Sequence, residues 1–372
     1  MTQSRPDPRA PVASATNLQQ LVISVDAMGG DRGPEAVVGG LELAAAEHPD
    51  ARFILHGDQA VLTPLLDQKR SLSSVVTLRH AVRAVTMHDK PSQIMRSGQD
   101  TSMWSCIEAV RLKEAQVAVS CGNTGALMAV SMIRLRRLRG VTRPAIACLW
   151  PSRNKAGFNV MLDVGADVKA DPEDLLQYAR MGAAYARTAL SLDVPRVGLL
   201  NVGTEEHKGR PEMRTAYELV QEASEDGAFS FEGFVEGGDI PGDRVDVIVT
   251  DGFSGNIALK TGEGTAKFVG EVLKSTLRST LLSKVGALLA MSSLKKMQLR
   301  IDPRRVNGGV FLGLNGAVVK SHGSSDATGV AAAISLACQL AREDFTGRIA
   351  AQVAPAAAAG QDAASDGEGA SN

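Results

Sequence analysis

Nine short apolar runs recur along the 372-residue chain, separated by longer stretches of helical period: LVISVD, RFILHG, VVTLRH, VAVSC, AIACLW, FNVMLD, RVGLLN, VDVIVT and VVKSH. Runs this continuous do not alternate apolar with polar residues, so both faces of each strand must be covered. Helices on either side of a largely parallel sheet cover them. The expected fold class is therefore α/β, a doubly wound, largely parallel sheet with helices on both faces. Pro34, Pro91, Pro144, Pro172 and Pro303 fall between the runs, where proline starts helices or punctuates loops. Residues 1–20 and the Ala/Gly/Asp/Ser-rich stretch 350–372 carry too little apolar surface to offset their ordering. They are expected to be disordered tails around one folded unit, 21–349.

Six of the runs lead straight into loops of small, polar or acidic residues: Asp26–Asp31, Ser120–Gly125, Asp163–Asp167, Asn201–Gly209, Thr250–Asn256 and Lys320–Asp326. In an open parallel sheet, loops at the carboxyl ends of strands line the ligand crevice, so these six are expected to converge. Glycine lets backbone N–H groups approach an anion closely, and Ser, Thr or Asn caps aim helix N-termini at the same place. The chemistry suits phosphate or an oxyanion. Candidate binding residues are Asp26, Gly29, Gly30, Asp31, Gly122, Thr124, Gly125, Asp163, Gly165 and Thr204 in the first four loops. Asp251, Gly252, Ser254, Gly255, Asn256, Gly323, Ser324 and Ser325 complete the set. Asn123, at a helix start, would offer donors to the anion or to a polarised carbonyl. His322, directly after a strand, could donate to phosphate or protonate a leaving group.

Composition narrows the partners. With 40 Lys+Arg against 41 Asp+Glu there is no basic excess, which argues against nucleic acid. Cys106, Cys121, Cys148 and Cys338 form no close pair, so neither a disulfide framework nor a zinc site is expected, and no H-x-x-H or D-x-D-x-D spacing suggests another metal. The N-terminal stretch lacks an apolar signal core, and the uncharged run 115–133 is broken by Cys-Gly-Asn-Thr-Gly, so a cytoplasmic protein is expected.

The segments ISVDAMGGD at 23–31, SCGNTGALMA at 120–129, LDVGADV at 162–168, GLLNVGTEEHKG at 198–209, VTDGFSGNIALKTGEG at 249–264 and LGLNGAVVKSHGSSDA at 312–327 resemble, in that order, the motifs of the PlsX-type phosphate acyltransferases. The resemblance implies a fold like that of the isocitrate and isopropylmalate dehydrogenases. It implies transfer of a fatty acyl group from acyl-[acyl-carrier-protein] to inorganic phosphate, giving acyl phosphate for phospholipid biosynthesis without a cofactor. It further implies a homodimer, peripheral contact with an anionic membrane, and a downstream glycerol-3-phosphate acyltransferase. Lys208 corresponds to a lysine implicated in the family's catalysis, and His207 beside it is a weaker candidate. The strand-end carboxylates would then orient Lys208, His322 or loop amides, or bind pantetheine hydroxyl and amide groups. The chain departs from the family pattern at Cys121, at Asp167, at RSGQDTSM (96–103) and at VNGGVF (306–311). Since the family usually carries Ala at the Cys121 position, no covalent role is expected there.

Two basic stretches remain. Arg134, Arg136, Arg137, Arg139 and Arg143 follow an apolar helix, and Arg136 and Arg137 are candidates for carrier-protein docking. Residues 265–300 read as a basic amphipathic helical segment with Glu271 as its sole acid after Lys267. Its Leu281, Leu282, Val285, Leu288 and Leu289 suit membrane or partner contact, with a core stripe or a dimer interface as the plainer alternatives. For the activity, the alternatives are a phosphotransacetylase-like enzyme using acyl-coenzyme A, a nucleotide-dependent dehydrogenase, or a non-catalytic membrane-surface scaffold of lipid synthesis.

Overall fold

The computed structural model describes residues 20–301 and 308–353. The expected tails lie outside these residues apart from Gln20 and 350–353, as does Pro303. Eleven strands form one sheet: β1 (Leu21–Asp26), β2 (Ala51–Gly57), β3 (Val76–His80), β4 (Val117–Ser120), β5 (Ala145–Pro151), β6 (Phe158–Leu162), β7 (Arg196–Leu200), β8 (Ser230–Val235), β9 (Val247–Val249), β10 (Gly309–Leu312) and β11 (Ala317–Lys320). Their order is β3-β2-β1-β4-β11-β10-β5-β6-β9-β7-β8. The helices are α1 (Gly33–Glu47), α2 (Gln59–Asp67), α3 (Pro91–Ser97), α4 (Ser102–Arg111), α5 (Thr124–Arg134), α6 (Pro172–Leu190), α7 (Pro211–Ser224), α8 (Gly252–Arg278), α9 (Leu281–Leu289), α10 (Met291–Ile301) and α11 (Ala327–Arg342).

Successive strand residues point to opposite faces, and both faces are buried. Ile23, Val25, Phe53, Leu55, Val117, Val119, Val247 and Val249 join one apolar cluster with α1, α6, α7 and α11. Ile54, Ala118, Ile248, Phe311 and Val318 join the other with α4 and α5. The doubly wound expectation holds. Ile349 and Val353 are buried in the first cluster, so the packed unit continues past the expected boundary at 349.

The sheet has a reversal that the apolar runs do not show. β10 is antiparallel to both β11 and β5, and β5 is antiparallel to β6, while every other pairing is parallel. The block β3-β2-β1-β4-β11 therefore runs opposite to the block β6-β9-β7-β8. Carboxyl-end loops of the two blocks leave from opposite directions and gather as two groups, instead of along one edge.

Candidate active site

In the first group, three loops interlock. Asp26 sits at the end of β1 with its carboxylate buried, accepting from Ser120 Oγ at 2.7 Å and from the Met28 amide at 3.2 Å. Burial pushes its pKa up against these hydrogen bonds. A side chain at Gly29 would place its Cβ 2.6 Å from the Gly122 amide nitrogen, so glycine is what lets the 26–31 and 120–125 loops touch. The Asp31 amide donates to the Gly323 carbonyl at 2.7 Å, tying in the third loop. Asn123 caps α5, accepting from the Ala126 amide at 3.1 Å and donating to the Met87 and Asp89 carbonyls. Its side chain is thus held by the 87–89 segment and the start of α5.

The second group is built around Asp163, directly after β6. Its buried carboxylate accepts from the amides of Ile146, Gly165, Ala166 and Asp167 at 2.9–3.1 Å. Both buried carboxylates thus serve loop amides, one of the roles expected for them. Asp251 caps α8 through the Ser254 amide at 2.8 Å and pairs with Arg210 at 2.6 Å. Burial opposes its charge, but the Ser254 donors and the Arg210 guanidinium hold its carboxyl below the ordinary value. That ion pair ties the 201–209 loop to the start of α8.

The two groups meet at a cavity of about 520 Å³. Thr124, Lys320, Ser321 and His322 line it from the first group, and Gly165 and Asn256 from the second. α8 continues the second side, with Asn256, Leu259, Lys260, Glu263 and Ala266 on its lining face. These positions follow the three- and four-residue spacing of one helical stripe. His322 Nε2 lies 3.1 Å from Lys260 Nζ and 3.7 Å from Glu263 Oε2, while its Nδ1 meets Ser324 Oγ at 2.9 Å. Lys260 also pairs with Glu263 at 2.8 Å. Partial burial raises the Glu263 carboxyl, but hydrogen bonds from His322 and Lys260 outweigh it and hold the group at about 2. Lys320 is nearly enclosed, and burial lowers its pKa to about 8. Two cations and an imidazole therefore share the cavity. Cys148, Leu149, Trp150, Pro151 and Gly309 add a largely apolar part of its lining.

Lys208 and Thr204 do not line this cavity. Lys208 is exposed and paired with Glu205 at 2.8 Å within its own loop. Asp31, Gly323 and Ser324 are not among the lining residues, and Gly252 and Gly255 are packed against the 163–167 loop. Cys121 is buried, and burial pushes its thiol pKa up, away from the thiolate a nucleophile requires. Arg143 is engaged by Asp167 and Asp174, whereas Arg136 and Arg137 are exposed. Lys260, Glu263 and Lys320 are absent from the residues expected from sequence, although all three lie within the quoted motifs. Among the described residues, no group of three or more His, Cys, Asp or Glu could hold a metal ion. No helix among them is long and apolar enough to cross a membrane.

The family model described as "Fatty acid synthesis protein" matches residues 21–348. A phosphate acyltransferase of Cereibacter sphaeroides is 66% identical over 352 residues, covering 95% of this chain and 96% of its own length. The chain belongs to the phosphate acyltransferase family. A second member, from Rhodobacter capsulatus, is 64% identical over 95% of this chain and 88% of its own. Among solved structures, a phosphotransacetylase from Streptococcus pyogenes superposes with a TM-score of 0.58 at 17% identity, covering 87% of this chain and 94% of that one. The EutD phosphotransacetylase from Staphylococcus aureus gives a TM-score of 0.53 at 15% identity, with coverage of 87% and 94%. At such identities the likeness is one of fold. Family membership places the polar cluster in an acyltransferase.

Proposed function

We propose that the chain transfers a fatty acyl group from acyl-[acyl-carrier-protein] to inorganic phosphate. The observation that supports this reading is the cavity that brings Lys260, Lys320 and His322 together with an apolar wall. Phosphate near neutral pH is already partly dianionic, so the reaction needs cations more than a strong base. Lys260 and Lys320 hold phosphate oxygens against the thioester carbonyl and stabilise the tetrahedral oxyanion. The phosphate oxygen bonds to the carbonyl carbon, the C–S bond breaks, and the departing thiolate takes a proton from the His322 ring, which faces Glu263 at 3.7 Å.

Docking of the acidic carrier protein is assigned to the exposed Arg136 and Arg137. The arm of α8 to α10 exposes Leu281, Leu282, Val285, Leu288 and Leu289 beside several lysines, which suits peripheral binding to an anionic membrane, where a downstream glycerol-3-phosphate acyltransferase would receive the product. Phe268, Val269 and Val272, also exposed on α8, suit a second copy of the chain, making a homodimer.

The test is phosphate-dependent loss of the thioester from long-chain acyl-carrier protein, with acyl phosphate detected by mass. Lys260→Ala should lower kcat/KM about 100-fold, and Lys208→Ala, being away from the cavity wall, should lower it less. Acyl phosphate formed at the wild-type rate by folded Lys260→Ala would overturn the assignment of the site. A preference for acyl-coenzyme A over the carrier protein would overturn the donor.

A further inference from the structure

Glu263 is the only acid among the described residues that line the cavity, and it stands directly beside the cations assigned to phosphate. Its carboxylate meets Lys260 Nζ at 2.8 Å and faces His322 Nε2 at 3.7 Å. Those two neighbours hold its carboxyl at about 2, so near neutral pH it is ionised and can only accept hydrogen bonds. The Lys260 ammonium has three donors. One goes to Glu263 and one lies toward His322 Nε2 at 3.1 Å, which leaves the third for a ligand in the cavity. With tetrahedral angles at the ammonium, an anion oxygen on that third donor sits about 4.6 Å from the Glu263 oxygen. A second oxygen of the same tetrahedral anion then comes within hydrogen-bonding reach of the carboxylate. If both oxygens could only accept, they would repel each other there with no compensating bond.

We propose that Glu263 selects phosphate over other tetrahedral anions, by requiring that the bound anion bring a proton of its own. The proposal rests on the reading that this cavity takes inorganic phosphate. Near neutral pH phosphate retains at least one P–OH group, which donates to Glu263 while the unprotonated oxygens meet Lys260 and Lys320. Sulfate has the same shape, and the charge of monohydrogen phosphate, but no proton to offer. Its oxygen would face the carboxylate unpaired. A site built to bond a ligand hydroxyl rejects the analogue that lacks it far more strongly than a site that discriminates by size. The same contact orients the substrate. With P–OH turned to Glu263, the oxygens left to attack the thioester are the more nucleophilic, unprotonated ones.

The test uses the full chain near neutral pH and reads affinities. Sulfate and arsenate are measured as competitors of phosphate in acyl phosphate formation, and phosphate and sulfate binding are measured by calorimetry without an acyl donor. In wild type the inhibition constant of sulfate should exceed the KM for phosphate at least about 100-fold. Arsenate, which keeps a proton at this pH, should compete at concentrations near that KM. Glu263→Gln keeps the shape of the side chain and adds an amide donor, so it should narrow the gap to within about tenfold, with sulfate bound more tightly than in wild type. Glu263→Asp keeps an acceptor-only carboxylate and should still exclude sulfate. Sulfate competing as well as phosphate in wild type that makes acyl phosphate would overturn the proposal alone. A phosphate-to-sulfate ratio unchanged in folded Glu263→Gln, with both anions weakened together, would do the same, since a merely structural glutamate behaves that way. Selective phosphate binding with no acyl phosphate from folded wild type would overturn the parent reading, and phosphate that neither binds nor reacts would overturn both.

Discussion

The loops around the cavity and the arm of α8 to α10 are opposite solutions to the same chemistry of glycine and leucine. In the loops, glycines are pressed against neighbouring backbone: a Cβ at Gly255 would lie 1.8 Å from the Asp163 carbonyl oxygen. In the arm, Gly264, Gly270 and Gly286 have nothing within 4 Å of where a Cβ would stand. Leucines follow suit, with Leu127 and Leu162 fully buried near the loops and Leu281 and Leu282 more than four-fifths exposed on the arm. The loops are specified by contacts within the chain, whereas the arm presents a surface whose complement lies outside it.

This contrast gives a graded set of outcomes. Gly255→Ala should be the most damaging change, lowering unfolding free energy by at least about 3 kcal/mol in denaturant titration, because backbone must move to admit the methyl group. A loss below about 1 kcal/mol would show that the 163–167 loop is looser than its contacts suggest. Next, Leu288→Glu with Leu289→Glu should weaken binding to anionic vesicles about 100-fold in a flotation assay, from lost apolar burial. Stability of the isolated chain should stay within about 0.5 kcal/mol, as for other exposed positions. Unchanged vesicle binding would remove the arm from the membrane.

A third outcome concerns charge. Lys320 titrates at about 8 in the folded chain against an ordinary value of 10.5, so the unfolded state holds that proton more tightly. Its burial cost is complete below pH 8 and is relieved as pH rises from there toward 10.5. Activity should run the other way. As the ammonium is lost above pH about 8, kcat/KM for phosphate should fall about tenfold per pH unit. Lys320→Met should be slower throughout and lack that limb; a limb unchanged in the variant would assign it to another group. Smallest of all, Gly270→Ala should stabilise the exposed helix by up to about 1 kcal/mol, and a loss instead would mean that Gly270 packs against something in solution.

The nine apolar runs became strands because continuous Val, Ile and Leu leave few other options in a covered sheet. β8 and β10 escaped notice for local reasons. SFEGFV carries a charge and a glycine at φ +76°, and GVFL follows paired glycines that read as a turn. The reversal of the sheet was legible in principle. Only six residues separate β5 from β6, and four separate β10 from β11, too few for a parallel crossover, which takes a dozen or more. Those short links force antiparallel pairs. Lys260 and Glu263 were hidden because they lie within a helix, whose opposite stripe of Phe268 and Val272 dominates the pattern. Their signal was the spacing Asn256, Leu259, Lys260, Glu263, Ala266, which marks a second face of the same helix. Lys208 stood out by motif, yet motif alone does not say that its loop is held at the start of α8 and not at the cavity wall.

α8 has one further consequence. At 27 residues it is a rod of about 40 Å, with the cavity's Lys260 and Glu263 near one end and the exposed arm at the other. A tilt imposed on the arm by whatever grips it would carry both side chains together, while His322, anchored on β11, would stay behind. Docking at the far end would thereby be registered as a change in the spacing of Lys260 and Glu263 from His322, a mechanical reading of attachment made by the same residues that meet the substrate.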